Sequence, residues 1–272
     1  MLNRKFCLVF DLLIIFKVLT VPHFGNFWVL LAFSCIYLVV SNKTYRISSL
    51  VVLAISIIIN YLIEPFSTHY IELFVFIVIT FRAVSFRQDN SQAYLSKGMS
   101  FVLVLTMASG FFGKLIFGSY LSGDSLLRLL AKDSRMQKVT LINKLTPPVI
   151  LSLSDLEKNL KADNDSKTVS FDLEEKHQKL IKVGSNLIIV FEGILFFLSL
   201  FLLSKFTAMK KVFWCALGGF ILFIFPILPV VHVGTSLCTL GFASTYKHSR
   251  RWGLLFLCLY VYVIMCGKGW IL

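Results

Sequence analysis

The sequence predicts an all-α fold: a polytopic integral membrane bundle of about nine transmembrane helices, N-terminus cytoplasmic, with a small extracytoplasmic cap. Three observations predict it. Apolar residues make up 57% of the chain and charged ones 15%, where soluble domains hold about 45–50% and about 25%. The apolar residues gather in runs close to the length of about 20 residues that a spanning helix needs. Basic residues collect in alternate connections between those runs, as topology determinants do.

The runs lie near 6–22, 26–41, 47–64, 68–85, 99–119, 183–204, 212–228, 230–246 and 252–267. The first follows Arg4 and Lys5, as a signal peptide would. Asp11 and Lys17 interrupt it, however, and no small-x-small cleavage site follows, so it reads as a retained helix. Residues 212–246 pass without a charge, and Pro226-Ile-Leu-Pro229 sits at their centre. Proline removes a backbone donor and clashes with the preceding turn, so this stretch reads as two short helices joined by a tight turn. Trp252 and Trp270 bracket the last run like interfacial anchors.

The positive-inside rule tests the count. With Arg4 and Lys5 inside, nine helices leave four basic groups in the cytoplasmic connections. These are Lys43 and Arg46; Arg82, Arg87 and Lys97; Lys205, Lys210 and Lys211; and Lys247, Arg250 and Arg251. Asp89 is the one acid among them. Were 212–246 a single helix, the last cluster would fall outside. Three regions result: helices 1–5 in residues 1–119, the cap in 120–182, and helices 6–9 in 183–272.

The cap, Tyr120 to Lys182, holds nine of the fourteen acids and eleven basic residues. Ser122 to Leu130 reads as an amphipathic helix on the membrane surface. Ser154-Asp-Leu-Glu157 and Asp172-Leu-Glu-Glu175 resemble capping boxes. Ala162 to Lys167 reads as a solvated turn, and Pro147-Pro148 as a bend.

Several functions are disfavoured. The net charge of +13 orients a membrane protein and implies no nucleic acid partner. Cys7, Cys35, Cys215, Cys238, Cys258 and Cys266 all lie in apolar stretches without a C-x-x-C pair, which argues against thiol-redox chemistry and a disulfide framework. Gly-rich nucleotide loops, H-E-x-x-H and G-x-S-x-G are missing. No metal site is expected.

Charges within apolar runs carry the functional signal, because each costs about 2.5–3.5 kcal/mol on insertion scales. In the nine-helix topology Lys17 lies near the outer end of helix 1. His69 and Glu72 open helix 4 on one face, three residues apart. Lys114 lies near the outer end of helix 5, and Glu192 is about nine residues into helix 6 from the same side. Glu64, His23 and His232 sit at the outer rim. Asp11 is the exception: six residues from Lys17, about 240° around the helix, it shares no face with it. Lys114 with Glu192, and His69 with Glu72, are the strongest candidates for a polar pocket. The plainer alternative is that Lys17 and Lys114 snorkel to the headgroups while the glutamates staple helices.

At helix 5 the residues Ala108-Ser-Gly110-Phe-Phe-Gly-Lys114-Leu, followed by Tyr120-Leu-Ser-Gly123-Asp-Ser-Leu, resemble a motif of the HTTM (horizontally transferred transmembrane) family. That family is related to the membrane domain of vitamin K-dependent γ-glutamyl carboxylase. Ser67-Thr68-His69-Tyr70 is similar to its Asn-His segment, and Phe191-Glu192-Gly193 to the helix after its large loop. The resemblance implies catalytic roles for Lys114, as a base toward a quinol, and for His69; the charges at outer depth add Lys17, Glu72 and Glu192, with Tyr120, as pocket residues. Four departures stand out, the first being that the later helix, where many members carry a His, reads Gly218-Gly-Phe-Ile-Leu-Phe. Lys114 lies one residue further from Gly110 than the motif has it, Tyr120 replaces a Trp, and Thr68 replaces the Asn. The carboxylase's large lumenal domain has no counterpart here, so glutamate carboxylation is not expected.

The expected protein is therefore HTTM-like, in the cytoplasmic (inner) membrane of a bacterium. Its outer-leaflet polar pocket would handle a quinone, a lipid or a secreted peptide during maturation; the resemblance suggests the last because one short bacterial member of the family assists production of a secreted peptide toxin. The other readings are a non-catalytic subunit paired with a protein partner and, last, a transporter, which would show repeated halves and midplane charges.

Overall fold

The computed structural model describes residues 2–20, 27–63, 69–88, 90–116, 120–122, 175–225, 231–245 and 249–267. Every regular element among them is helical. In chain order these are α1 (Leu2–Thr20), α2 (Phe27–Val39), α3 (Lys43–Ile63), α4 (His69–Ser85), α5 (Ser91–Ile116), α6 (Glu175–Leu200), α7 (Thr207–Ile224), α8 (Val231–Thr245) and α9 (Arg250–Gly267). A 3-10 turn, Phe201–Leu203, follows α6. Four helical stretches are long and apolar enough to cross a membrane: Ser91–Ile116, Ile181–Leu203, Thr207–Ile224 and Arg250–Gly267. The described part of the chain is thus all-helical, with the helices of a membrane protein. The turn at Pro226–Pro229 and the cap elements between 123 and 174 lie outside the described residues.

Helix ends follow local chemistry more than hydropathy. The apolar run predicts helix 5 from residue 99, yet α5 starts at Ser91. Asn90 explains the difference: its side-chain oxygen accepts the Ala93 N–H at 3.1 Å and its carbonyl accepts the Tyr94 N–H at 3.0 Å, an N-cap that starts the helix in the polar turn. Asn42 does the same for α3, accepting the Thr44 N–H at 2.8 Å. Likewise α6 begins at Glu175, eight residues ahead of its apolar run.

The chain forms two compact units. The first comprises residues 1–104, 202–206 and 230–264; the second comprises 105–201, 207–229 and 265–272. In the first, α3 packs along α4 and α2, while α1 touches α2, α4 and α8. Its core is aromatic and branched: Phe6, Phe10, Leu50, Leu53, Ile57, Ile79, Phe242 and Phe256 are buried. Phe6 stacks on Phe242 with centroids 5.5 Å apart. Residues 234–245 of α8 are buried throughout, and Gly241 permits this. A Cβ at that position would lie 2.6 Å from the Phe256 ring, so only glycine lets α9 approach so closely. Small-residue contacts of this kind are how helices pack where lipid removes the hydrophobic drive between them. Three threonine hydroxyls of α8 are satisfied within the helix: Thr235, Thr239 and Thr245 donate to carbonyls four residues back at 2.7–2.8 Å, whereas the Ser244 hydroxyl is buried without a hydrogen-bond partner. Ser96 of α5 donates to the Ser244 carbonyl at 3.0 Å.

In the second unit α6 packs on α7. Val183, Leu187, Val190, Ile194 and Phe197, spaced three or four apart, are exposed. That outward stripe is apolar, while Ser185 and Ser199 are buried on α6. Polar inside and apolar outside is the arrangement a bilayer requires.

Candidate functional site

Lys114 and Glu192 form an ion pair in the second unit. Lys114 occupies the last turn of α5, where the partial negative charge of the helix end favours a cation. Glu192 lies in α6, with Gly193 next to it. A Cβ on Gly193 would come within 2.8 Å of the Phe111 ring, so this glycine lets α5 and α6 approach at the level of the pair. Phe111 stacks on Phe196 at 6.0 Å and Phe112 meets Phe196 edge-on at 5.3 Å. Phe191, beside Glu192, stacks on Phe220 of α7 at 6.0 Å. The pair thus has aromatic walls. Its side chains are 17% and 15% exposed, so neither charge is fully solvated.

Tyr120 completes the cluster. The Lys114 ammonium lies 5.2 Å from its ring centroid, within range of a cation–π contact, and Ser185 of α6 donates a hydrogen bond to the Tyr120 carbonyl. Only one carboxylate oxygen of Glu192 is engaged: Oε1 takes the lysine, while Oε2 is buried without a hydrogen-bond partner. Gly110, one turn before Lys114, faces Oε2; a Cβ there would sit 3.7 Å from it. A buried, unfilled acceptor is costly, by about 1–3 kcal/mol and more for a charged group. The cluster therefore offers a free acceptor, an ammonium with further donors and aromatic surface. Asn186 Oδ1, also on α6, is a second buried acceptor without a partner.

The structure brings Lys114, Glu192 and Tyr120 together. Lys17 belongs to the first unit, on α1 near Cys238 of α8. At 2% exposed it is enclosed, which removes the snorkelling alternative for this lysine. His69 opens α4 and Glu72 lies in its first turn; their side chains are outside the described residues. No group of three or more His, Cys, Asp or Glu among the described residues could hold a metal.

A second polar cluster, in the first unit, escaped the sequence reading. Arg82 of α4 grips both carboxylate oxygens of Asp11 of α1 with one edge of its guanidinium, Nε to Oδ1 at 2.6 Å and Nη2 to Oδ2 at 2.9 Å. Nε also reaches the Tyr37 hydroxyl of α2 at 3.2 Å, and Nη1 reaches Ser85 Oγ at 3.2 Å. Arg46 of α3 donates to Asp11 Oδ2 at 2.8 Å. The assignment of Arg82 to a cytoplasmic connection needs correction: it lies within α4, buried and paired. The charge rule counts a basic residue near a helix end as a loop residue, whereas the carboxylate of Asp11 supplies the partner that lets it stay inside. Asp11 was the available signal, since an acid in an apolar run demands a cation.

Compared with known protein families, curated proteins and solved structures, the chain matches none of them.

Proposed function

We propose that the Lys114–Glu192–Tyr120 cluster is the polar end of an intramembrane site for an amphipathic molecule, such as a quinone, a lipid or a secreted peptide during maturation. The observation that carries this reading is the buried Glu192 Oε2, an acceptor left open beside Gly110. A hydroxyl or N–H of a ligand would satisfy it while the apolar body lies along Phe111, Phe191 and Phe196. Apolar walls with a few convergent polar groups suit that class of ligand. Two further points support the reading. The residues from Ala108 to Lys114 resemble the HTTM motif, whose lysine in the related carboxylase acts as a base toward a quinol, and a nine-helix topology would put both charges on the outer side of a bacterial cytoplasmic membrane. In that topology the N-terminus is cytoplasmic and residues 120–182 form the extracytoplasmic cap.

The experiment is extraction of small molecules from protein purified in mild detergent, with mass spectrometry of wild type, Glu192→Gln and the double substitution Lys114→Met with Glu192→Met. A quinone or specific lipid retained by wild type and depleted in both variants is the expected result. Equal recovery from all three would remove the site. Dependence of the wild-type chain on a co-purifying protein that contacts Lys114 or Glu192 would favour the subunit reading instead.

A further inference from the structure

The Asp11 cluster is short of negative charge. Two guanidinium groups share one carboxylate, which leaves a net charge of +1 among the described members. Arg82 takes both oxygens of Asp11, so its charge is matched. Arg46 has only a share of Oδ2, already engaged by Arg82. Its Nε is buried without a hydrogen-bond partner. A guanidinium carries five donors in a fixed fork, and this one has a single bonded partner.

Position and surroundings point the same way. Arg46 lies in the first turn of α3, Arg82 in the last turn of α4, and Tyr37 in the last turn of α2. Three helix ends meet here. A cation in the first turn of a helix faces the positive end of the dipole and is unfavourable there without an anion. Arg46 is held in place by aromatic faces: its guanidinium carbon lies 4.7 Å from the Tyr37 centroid and 5.1 Å from that of Phe86. Unlike Arg82, whose side chain is 3% exposed, the Arg46 side chain is 24% exposed. Lys43, three residues earlier on the same helix, and Arg87, just past α4, are both exposed. The one acid of these connections, Asp89, lies outside the described residues.

We infer that Arg46 is the anion-binding arm of this cluster and takes a phosphate monoanion, the phosphodiester of an anionic membrane lipid or a free phosphate. The charge matches the deficit, and paired phosphate oxygens fit the guanidinium fork. Asp11 and Arg82 act as the frame that fixes Arg46. The site is separate from the Lys114–Glu192 cluster and stands or falls independently of it.

The test uses the full chain in detergent. Thermal unfolding is followed with added phosphatidylglycerol, phosphatidylcholine (whose phosphate carries its own ammonium) or inorganic phosphate. Wild type, Arg46→Gln, Arg46→Lys and the control Lys211→Gln, which removes an exposed charge elsewhere, are compared. Wild type should respond to phosphatidylglycerol at concentrations about fivefold below those of phosphatidylcholine, since a basic side chain near anionic lipid gains about 1 kcal/mol that the choline ammonium would offset. Arg46→Gln should lose that preference, Arg46→Lys should keep part of it, and Lys211→Gln all of it. Stabilisation by inorganic phosphate alone, lost in Arg46→Gln, would identify a soluble phosphate as the source and keep the site. The inference is overturned if wild type shows no preference and no response to phosphate, or if Lys211→Gln loses as much as Arg46→Gln. Should Arg46→Gln fail to fold, the wild-type lipid comparison and Arg46→Lys decide alone.

Discussion

Asp11 and Arg82, 71 residues apart in sequence, meet in a two-pronged ion pair with contacts of 2.6 and 2.9 Å, nearly closed to solvent. It ties α1 to α4, and Tyr37 and Arg46 extend the tie to α2 and α3. One carboxylate thereby holds four helices of the first unit.

The two partners are not equivalent, and substitution should show it. Replacing Asp11 by Asn strands two guanidinium groups, whereas replacing Arg82 by Gln leaves Asp11 with Arg46. Breaking a buried pair from one side costs about 3–5 kcal/mol. Asp11→Asn should therefore lose at least that much, and Arg82→Gln measurably less. Chemical unfolding of the purified protein in detergent, followed by tryptophan fluorescence, would order the two; equal losses would deny Arg46 its share of the carboxylate.

Lys114 and Glu192 allow a double-mutant cycle. Lys114→Met and Glu192→Gln, alone and together, should show a coupling of about 0.5–3 kcal/mol, the range for residues in direct contact. Unfolding of the four proteins under identical conditions gives the value. Additive losses would mean that the pair contributes nothing to holding α5 against α6.

Glycines separate close packing from open surface. A Cβ on Gly241 would meet the Phe256 ring at 2.6 Å, whereas one on Gly219 of α7 meets nothing within 4 Å. Gly241→Ala should destabilise by about 1–3 kcal/mol, as overpacking does. Gly219→Ala should be neutral or stabilising, by up to about 1 kcal/mol, through helix propensity. Thermal melts of the two variants provide the comparison, with opposite signs expected.

The proposed topology can be mapped with single cysteines in a cysteine-free background. Lys43→Cys and Arg87→Cys, both at exposed positions, should react with an impermeant maleimide only from the cytoplasmic side. Ser122→Cys should react only from outside. Labelling of all three from one side would overturn the nine-helix arrangement.

Much of this fold was legible because apolar runs announce helices. The prolines at 226 and 229 divided the long charge-free stretch, and α7 and α8 lie on either side of them. Lys114 and Glu192 stood out because each is a charge inside an apolar run at a similar depth. Helix starts were less legible. Capping by Asn90 depends on a side-chain hydrogen bond that hydropathy does not register, so α5 begins in polar sequence. Arg46 and Arg82 were hidden for a different reason. Near the ends of their helices they look like topology signals, and only the three-dimensional meeting with Asp11 turns them inward. The open oxygen of Glu192 was equally invisible, because a sequence shows that a carboxylate is present and not which of its lone pairs are filled.

Photolabelling in membranes tests the central claim most directly. Membranes containing the full chain would be irradiated with a diazirine-bearing quinone analogue and, separately, a diazirine-bearing phospholipid, and the modified peptides identified by mass spectrometry. The account predicts that at least one probe marks the segments around Gly110–Lys114 and Phe191–Phe196, with labelling suppressed in Glu192→Gln. Labelling spread evenly over the lipid-facing helices and unchanged in that variant would contradict it.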